Sequence, residues 1–300
     1  VAAPPDNDVL WARGLHYSYG GSPALQGVSI GVRAGEIVSV TGPRGSGKST
    51  LLSCLSGQLT PYDGEIWFNS VPVHTLSRTS RERLRRDRFG WVGSSPQLVP
   101  ELTAWENAAL PMMLCGAGSR AARKAAVEWL ERLDVGECAR KRPSALRQSQ
   151  RQRVAIARAL VHAPAILFAD EPTAPLHQSE RAQVLRTLTT AARTHSITVV
   201  LATHDPAVML PKATPGDPDA TDAAGPTLAD RSLTLVDGRL SGGGLSPADP
   251  ATAGARGAGH GGDSGGKDGK DGKDPSAGDG APKGDSDGED SKGAACSLSV

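Results

Sequence analysis

The sequence predicts an α/β fold built around a parallel sheet, and three observations predict it. Short apolar runs at 36–40, 165–169 and 197–202 have the length and composition of strands buried on both faces. Longer stretches between them carry apolar residues three and four apart, as at Ala126, Leu130 and Leu133, which is the spacing of one helix face. The first apolar run opens into a glycine-rich loop followed at once by a helical pattern. Strands alternating with helices in this way stack into layers around a central sheet.

Taken in order, residues 9–33 alternate apolar and polar around turns expected at Gly20-Gly21 and Gly31, which reads as antiparallel strands. A strand at 36–40 follows, then the loop 42–49 and a helix beginning at Ser49. A turn at 61–64 precedes a strand at 64–68. Helices are expected around 103–115, 119–134 and 148–161, then a strand at 165–169, a helix at 178–193 and a strand at 197–202. Residues 211–227 are rich in Pro, Gly and Asp and read as an irregular insert, and 233–240 closes as a hairpin around Asp237-Gly238. The domain plan is an extension at 1–8, one folded domain at 9–240 with a helical subdomain at about 95–150, and a tail at 241–300.

Composition separates the tail from the rest. From Ser241 it is mostly Gly, Asp, Lys, Ser, Ala and Pro, with Leu245, Leu298 and Val300 as its large aliphatic residues. It lacks the apolar surface needed to offset chain entropy, so disorder is expected. The formal net charge of +1 favours neither nucleic acid nor an acidic partner, and no nucleic acid is expected. Cys54, Cys115, Cys138 and Cys296 form no C-x-x-C pair, so neither a zinc site nor a disulfide framework is indicated, and a reducing, cytoplasmic compartment is expected. The first residues lack the basic start and apolar stretch of a signal peptide. No run approaches the roughly 18 apolar residues of a membrane span. Work at a membrane would need a partner to supply the spanning helices. The arginine-rich runs at 81–88 and 120–124 read as solvated helix faces, the first also able to approach a membrane-embedded partner or anionic lipid heads.

Chemistry concentrates at three places. Gly42-Pro43-Arg44-Gly45-Ser46-Gly47-Lys48-Ser49 is a complete G-x-x-x-x-G-K-[ST] between a strand and a helix whose next residue is Thr50. Glycines let backbone N–H groups turn inward around phosphates, and the helix adds its partial positive end. Lys48 is placed for the terminal phosphates of a nucleotide and Ser49 for Mg²⁺. The run 166–169 ends in Asp170-Glu171 at the carboxyl edge of a strand, the edge where α/β sheets bind ligands. Asp170 is a candidate to hold Mg²⁺, and Glu171 to orient and polarise an attacking water. Thr203-His204-Asp205 follows the next strand, which puts His204 at the same edge, within reach of a terminal phosphate.

Tyr19-Gly20, the loop 42–49, the run 152–160, Asp170-Glu171-Pro172-Thr173 and Thr203-His204-Asp205 resemble, in order and spacing, the ATP-binding subunits of ABC transporters. The resemblance covers about residues 9–240, and the stretch 101–111 is similar to the branch containing lipoprotein-release and macrolide-export ATPases. It implies a two-lobed P-loop ATPase with a RecA-like core, an antiparallel β subdomain and a helical subdomain. It also implies Mg²⁺ and ATP as cofactors, head-to-tail dimerisation around two ATPs, and a separate membrane permease that holds the subunit at the cytoplasmic face. Tyr19 falls where the family stacks an aromatic ring on adenine. A soluble ABC ATPase of translation or repair is disfavoured, since neither a second such domain nor a long coiled-coil insertion is present. A GTPase is disfavoured by the lack of an N-K-x-D motif.

Three positions depart from the family pattern. The signature Leu-Ser-Gly-Gly-Gln is here Leu146-Arg147-Gln148-Ser149-Gln150. That loop serves the partner's ATP, and removing one well-placed donor typically costs about a hundredfold to a thousandfold in rate. Ser94 stands where the family has the glutamine that couples the ATP site to the helical lobe, with Gln97 three residues on. His177 stands at the position of an aspartate that crosses the dimer interface. The resemblance implies that the phosphate loop, Asp170, Glu171 and His204 act on the chain's own ATP, and that the signature and His177 act on the partner's. The expectation is therefore a heterodimer with an ordinary partner, or a slow homodimer. The alternative is a regulatory subunit that binds ATP and hardly hydrolyses it.

Overall fold

The structure is a computed structural model, and it describes residues 8–204 and 228–241. The chain opens with two long strands, β1 (Asp8–Tyr19) and β2 (Ser22–Arg33), paired antiparallel across the Gly20-Gly21 turn. Gly31, expected as a turn, instead lies within β2 opposite Trp11. The chain reverses only after Arg33, at Ala34-Gly35, because the alternation of buried positions carries on to Val32 and keeps the strand paired. β4 (Asp63–Phe68) and the short β5 (Val71–Pro72) complete a four-stranded sheet of order β2-β1-β4-β5, with β3 (Ile37–Thr41) entering the second sheet.

The second sheet has order β10-β9-β3-β8-β7-β6, formed by β6 (Phe89–Val92), β7 (Ile166–Asp170), β8 (Thr198–Ala202), β9 (Arg231–Val236) and β10 (Arg239–Ser241). β9, β3, β8, β7 and β6 run parallel, and β10 returns antiparallel on β9. Successive side chains of a strand face opposite ways. Ile166 and Phe168 therefore enter one apolar cluster with Leu51, Leu52 and Ile30, while Leu167 and Ala169 enter another with Leu130, Val154 and Leu188. Both faces are covered, which is why these strands read as unbroken apolar runs.

The first cluster packs the antiparallel sheet and α1 (Lys48–Leu55) on one face. The second gathers α3 (Ala104–Leu114), α4 (Ser119–Arg132), α5 (Gln148–Leu160) and α6 (Gln178–Thr194). Among the described residues the remaining α-helix, α2 (Arg78–Arg88), buries no residue, as its arginine-rich sequence predicts. β6 was not anticipated: four residues containing a glycine carry too little alternation to read as a strand. The sheet also includes Ser241, one residue past the expected domain end. The insert at 211–227 and the tail beyond Ser241 lie outside the described residues. No helix among the described residues is long and apolar enough to cross a membrane.

Candidate functional site

β3, β7 and β8 bring the three predicted clusters to one sheet edge. β3 ends at Thr41 and delivers the loop 42–47, β7 ends at Asp170, and β8 ends at Ala202, directly paired with Asp170. The loop's shape is set by glycines that nothing else replaces. Gly42 has φ +149°, and a Cβ there would overlap the carbonyl oxygen of Leu235; Gly47 has φ +102°, and a Cβ would overlap that of Ala24. Ser46 is buried with its hydroxyl unpartnered, while Pro43, Arg44 and Gly45 are exposed at the rim. Lys48 is buried and folds back, donating from Nζ to the carbonyls of Gly42 at 2.8 Å and Pro43 at 2.9 Å.

Ser49 hydrogen-bonds the Asp170 carboxylate, whose Oδ1 is buried without a further partner. Burial pushes the Asp170 carboxyl above its ordinary value; the Ser49 hydrogen bond opposes this, Glu171 adds to it, and Lys48 opposes it. Glu171 sits in the left-handed region at φ +49°, its N–H donating to the Ala202 carbonyl at 2.8 Å. Strain of this kind, in a non-glycine residue, aims the side chain across the strand ends. Its Oε1 lies 2.7 Å from His204 Nδ1, and the Thr203 hydroxyl donates to Oε2 at 3.4 Å.

Tyr19 is 53% exposed at the end of β1, its ring edge-on to Tyr17 and its hydroxyl 3.4 Å from that of Thr50. It borders a cleft of about 360 Å³ with Pro23, Gly45, Gly47, Lys48 and Thr50. The cleft thus joins an exposed aromatic face to the phosphate loop, the shape needed for a ring at one end and phosphates at the other. The orphaned Asp170 Oδ1 beside Ser49, and the glycine cradle a Cβ would fill, fit a Mg²⁺–nucleotide.

The departures from the family pattern lie away from this cleft. Leu146 is buried, and Arg147 is the N-cap of α5, exposed together with Gln148. Ser149 and Gln150 are half-buried, and the Gln150 side chain accepts from the Arg147 N–H at 2.9 Å. An arginine side chain offers no acceptor, and no acid lies in the first turn. Ser94 is exposed just past β6. His177 is exposed as the N-cap of α6, its carbonyl accepting from Glu180 at 2.9 Å and its imidazole capping nothing.

Sequence reasoning missed two side chains that brace these loops. Gln152 Nε2 donates to the carbonyls of Gly93 and Pro172, both at 2.8 Å, and Arg158 donates to the Gln97 carbonyl at 2.6 Å. No spacing rule announces such contacts, because all three partners are backbone oxygens far along the chain.

A model of the ABC transporter family matches residues 25–174, half of the chain, and spans the phosphate loop, the signature position and Asp170-Glu171. The chain belongs to the ABC transporter family. An ABC transporter ATP-binding protein of Mycobacterium bovis is 39% identical over 229 residues, covering 76% of this chain and 64% of that protein. The chain therefore spans less than two thirds of that relative's length. The lipoprotein-releasing system ATP-binding protein LolD of Paramagnetospirillum magneticum is 40% identical over 182 residues, 61% of this chain and 80% of that one. Among solved structures, the dimeric post-hydrolysis state of an ATP-binding cassette bound to ADP and Pi superposes with a TM-score of 0.68 at 30% identity, covering 77% of this chain and 96% of that one. The two-sheet arrangement with its helical layer is thus an ABC cassette.

Proposed function

We propose that this chain binds Mg-ATP in the cleft between Tyr19 and the phosphate loop, and that it hydrolyses ATP slowly as the motor subunit of a membrane transporter. The observation that carries the reading is the pair of buried, unpartnered oxygens, Ser46 Oγ and Asp170 Oδ1, beside a lysine held by its own loop's carbonyls. Buried polar atoms without partners are rare in folded proteins, and these two belong to the loop and strand end that flank Lys48 and Ser49. On binding, Lys48 exchanges the two carbonyls for terminal phosphate oxygens. Ser49 and Asp170 would hold Mg²⁺, which neutralises phosphate charge. Glu171 orients and polarises the attacking water, and His204 holds the Glu171 carboxylate in place and reaches towards the terminal phosphate.

The chain would work as a dimer with nucleotide between two subunits, coupled to a separate permease at the cytoplasmic face of the membrane. Arg147 and Gln148 stand exposed where a small-residue signature would meet the partner's phosphate, so the site this chain completes for its partner is impaired. A heterodimer with an ordinary cassette keeps one sound site, and a homodimer keeps none. The same exposed side chains favour a second reading, an ATP-binding regulatory subunit with little turnover.

Calorimetry with Mg-ATP tests the shared claim. Binding that is lost in Lys48→Ala supports it, and no heat with the native chain ends it. The Glu171→Gln variant then separates motor from regulator: unchanged basal hydrolysis favours the regulator.

A further inference from the structure

We infer that Gln152 is a positioning residue that locks the Glu171 turn and the Ser94 loop to the helix bearing the altered signature. It rests on the proposed role of Glu171 in hydrolysis. Gln152 lies in the second turn of α5, fully buried, five residues after Arg147. A single amide nitrogen donates to two carbonyls, that of Gly93, immediately before Ser94, and that of Pro172, immediately after Glu171. Both partners can only accept, so the amide orientation is fixed: Nε2 faces the two loops, and Oε1 is buried with no partner.

A buried orphan acceptor is costly. A methionine of similar length would avoid that cost on its own side chain, but it would take the donor from both carbonyls. The two bonds therefore offset the penalty, and they fall on residues adjoining functional positions. α5 secures the other end of the 93–97 loop as well, through Arg158 and the Gln97 carbonyl. On the far side of the turn, Glu171 is held by its N–H on Ala202 and by Ala174 N–H donating to its own carbonyl at 3.1 Å. Gln152 supplies a side-chain link from this turn to α5. Displacement of α5 at its N-terminal end is thereby felt at Pro172 and Gly93 together, since one nitrogen serves both.

The test uses the full chain and three variants, Gln152→Met, Glu171→Gln and the double. A misplacement of about 1 Å in a reacting group costs on the order of a hundredfold. Gln152→Met should therefore slow single-turnover ATP hydrolysis by about that factor while leaving Mg-ATP affinity unchanged. The double variant should be no slower than Glu171→Gln alone, because Gln152 acts through Glu171. Amide hydrogen exchange should quicken in peptides spanning 93–97 and 171–176 and stay unchanged in β1 and β2. If Glu171→Gln slows hydrolysis but Gln152→Met does not, or if their effects multiply, the positioning role is overturned and the hydrolytic reading stands. If Glu171→Gln changes nothing, the hydrolytic reading fails and exchange alone decides: local quickening upholds the link, and unchanged protection overturns it. Should Gln152→Met not fold, Gln152→Asn withdraws the amide by one methylene and takes its place with the same readouts.

Discussion

His204 holds its Nδ1 2.7 Å from Oε1 of Glu171, tying the end of β8 to the turn that follows β7. The pair spans two strands whose last residues, Ala202 and Asp170, are direct neighbours, so the contact follows from sheet register. The imidazole fixes one carboxylate oxygen and the Thr203 hydroxyl approaches the other. A carboxylate fixed in this way is aimed before nucleotide arrives. Glu171→Gln should lower steady-state ATP hydrolysis by about a hundredfold or more, the usual worth of a positioned general base. His204→Ala should lower it by a smaller factor. A phosphate-release assay on both variants reads the difference, and equal rates for Glu171→Gln and the native chain would remove Glu171 from the mechanism.

Gly42 makes a separable prediction about the loop. A Cβ there meets the backbone carbonyl of Leu235 on β9, which cannot yield without breaking the sheet beside it, and the φ of +149° strains any other residue. Gly42→Ala should cost about 3 kcal/mol of stability, the upper range for overpacking or backbone strain, and should abolish nucleotide binding. Urea unfolding and calorimetry measure the two effects independently. Unchanged stability would mean that the loop closes differently from the geometry described.

Much of this site was legible because its chemistry is local in sequence. The loop 42–49 announces itself by spacing, and Asp170 and His204 each follow an apolar strand, so parallel pairing alone brings them together. β6 was not legible, since Phe89-Gly-Trp-Val is short and broken by glycine. Gly31 misled for the opposite reason: glycine suggests a turn, but pairing with Trp11 holds it extended. Gln152 and Arg158 lie in the run 152–160 that carries the resemblance, but nothing in the sequence shows what their side chains touch. Their partners are carbonyls 59, 20 and 61 residues away in the chain, which only tertiary packing reveals.

Asp170 gives a pH dependence of defined sign. Burial, the largest cause, raises its carboxyl above the ordinary 3.8. The folded chain then holds this proton more tightly than the unfolded chain does. The group's favourable contribution is complete below 3.8 and is lost as pH rises through the higher folded value. Without nucleotide, Asp170→Asn should raise the melting temperature at mildly alkaline pH, with the gain shrinking as pH falls towards that ordinary value. The variant should also lose the extra stabilisation that Mg²⁺ adds to bound ATP. Melting curves across pH, with and without Mg-ATP, test both signs; a gain that grows on acidification would contradict the burial argument.

Arg153, beside Gln152, braces the helical layer. It is almost fully buried, donates to the Leu133 carbonyl at 3.1 Å and pairs with Glu180 at 3.0 Å and Asp134 at 3.5 Å. Removing the guanidinium leaves Asp134 mostly exposed, and Glu180, whose Oε2 is buried, keeps 28% of its side chain in solvent, so only Glu180 is partly stranded. Arg153→Met should therefore cost about 2 kcal/mol, as for hydrogen bonds to charged groups, rather than the larger penalty of a broken buried pair. Chemical denaturation distinguishes the two magnitudes.

The signature offers the sharpest test of slow turnover. Arg147 caps α5 without an acceptor, and Gln148 places a full side chain on its first turn. If these side chains hold a partner's phosphate away from the helix N–H groups, restoring small residues should recover the lost donors. The combined substitution Arg147→Ser, Gln148→Gly and Ser149→Gly should raise steady-state hydrolysis by about a hundredfold, the typical worth of one placed donor. Glycine lowers helix propensity by about 1 kcal/mol per residue, so a modest loss of stability should accompany the gain. Mixing the variant with a native chain carrying Glu171→Gln separates the roles further. A signature that acts on the partner's nucleotide rescues the variant's own site only when the second chain also bears it, whereas a signature acting within its own subunit makes the rate independent of the partner. A rate unchanged by the triple substitution would locate the slow step elsewhere, at Ser94 or His177.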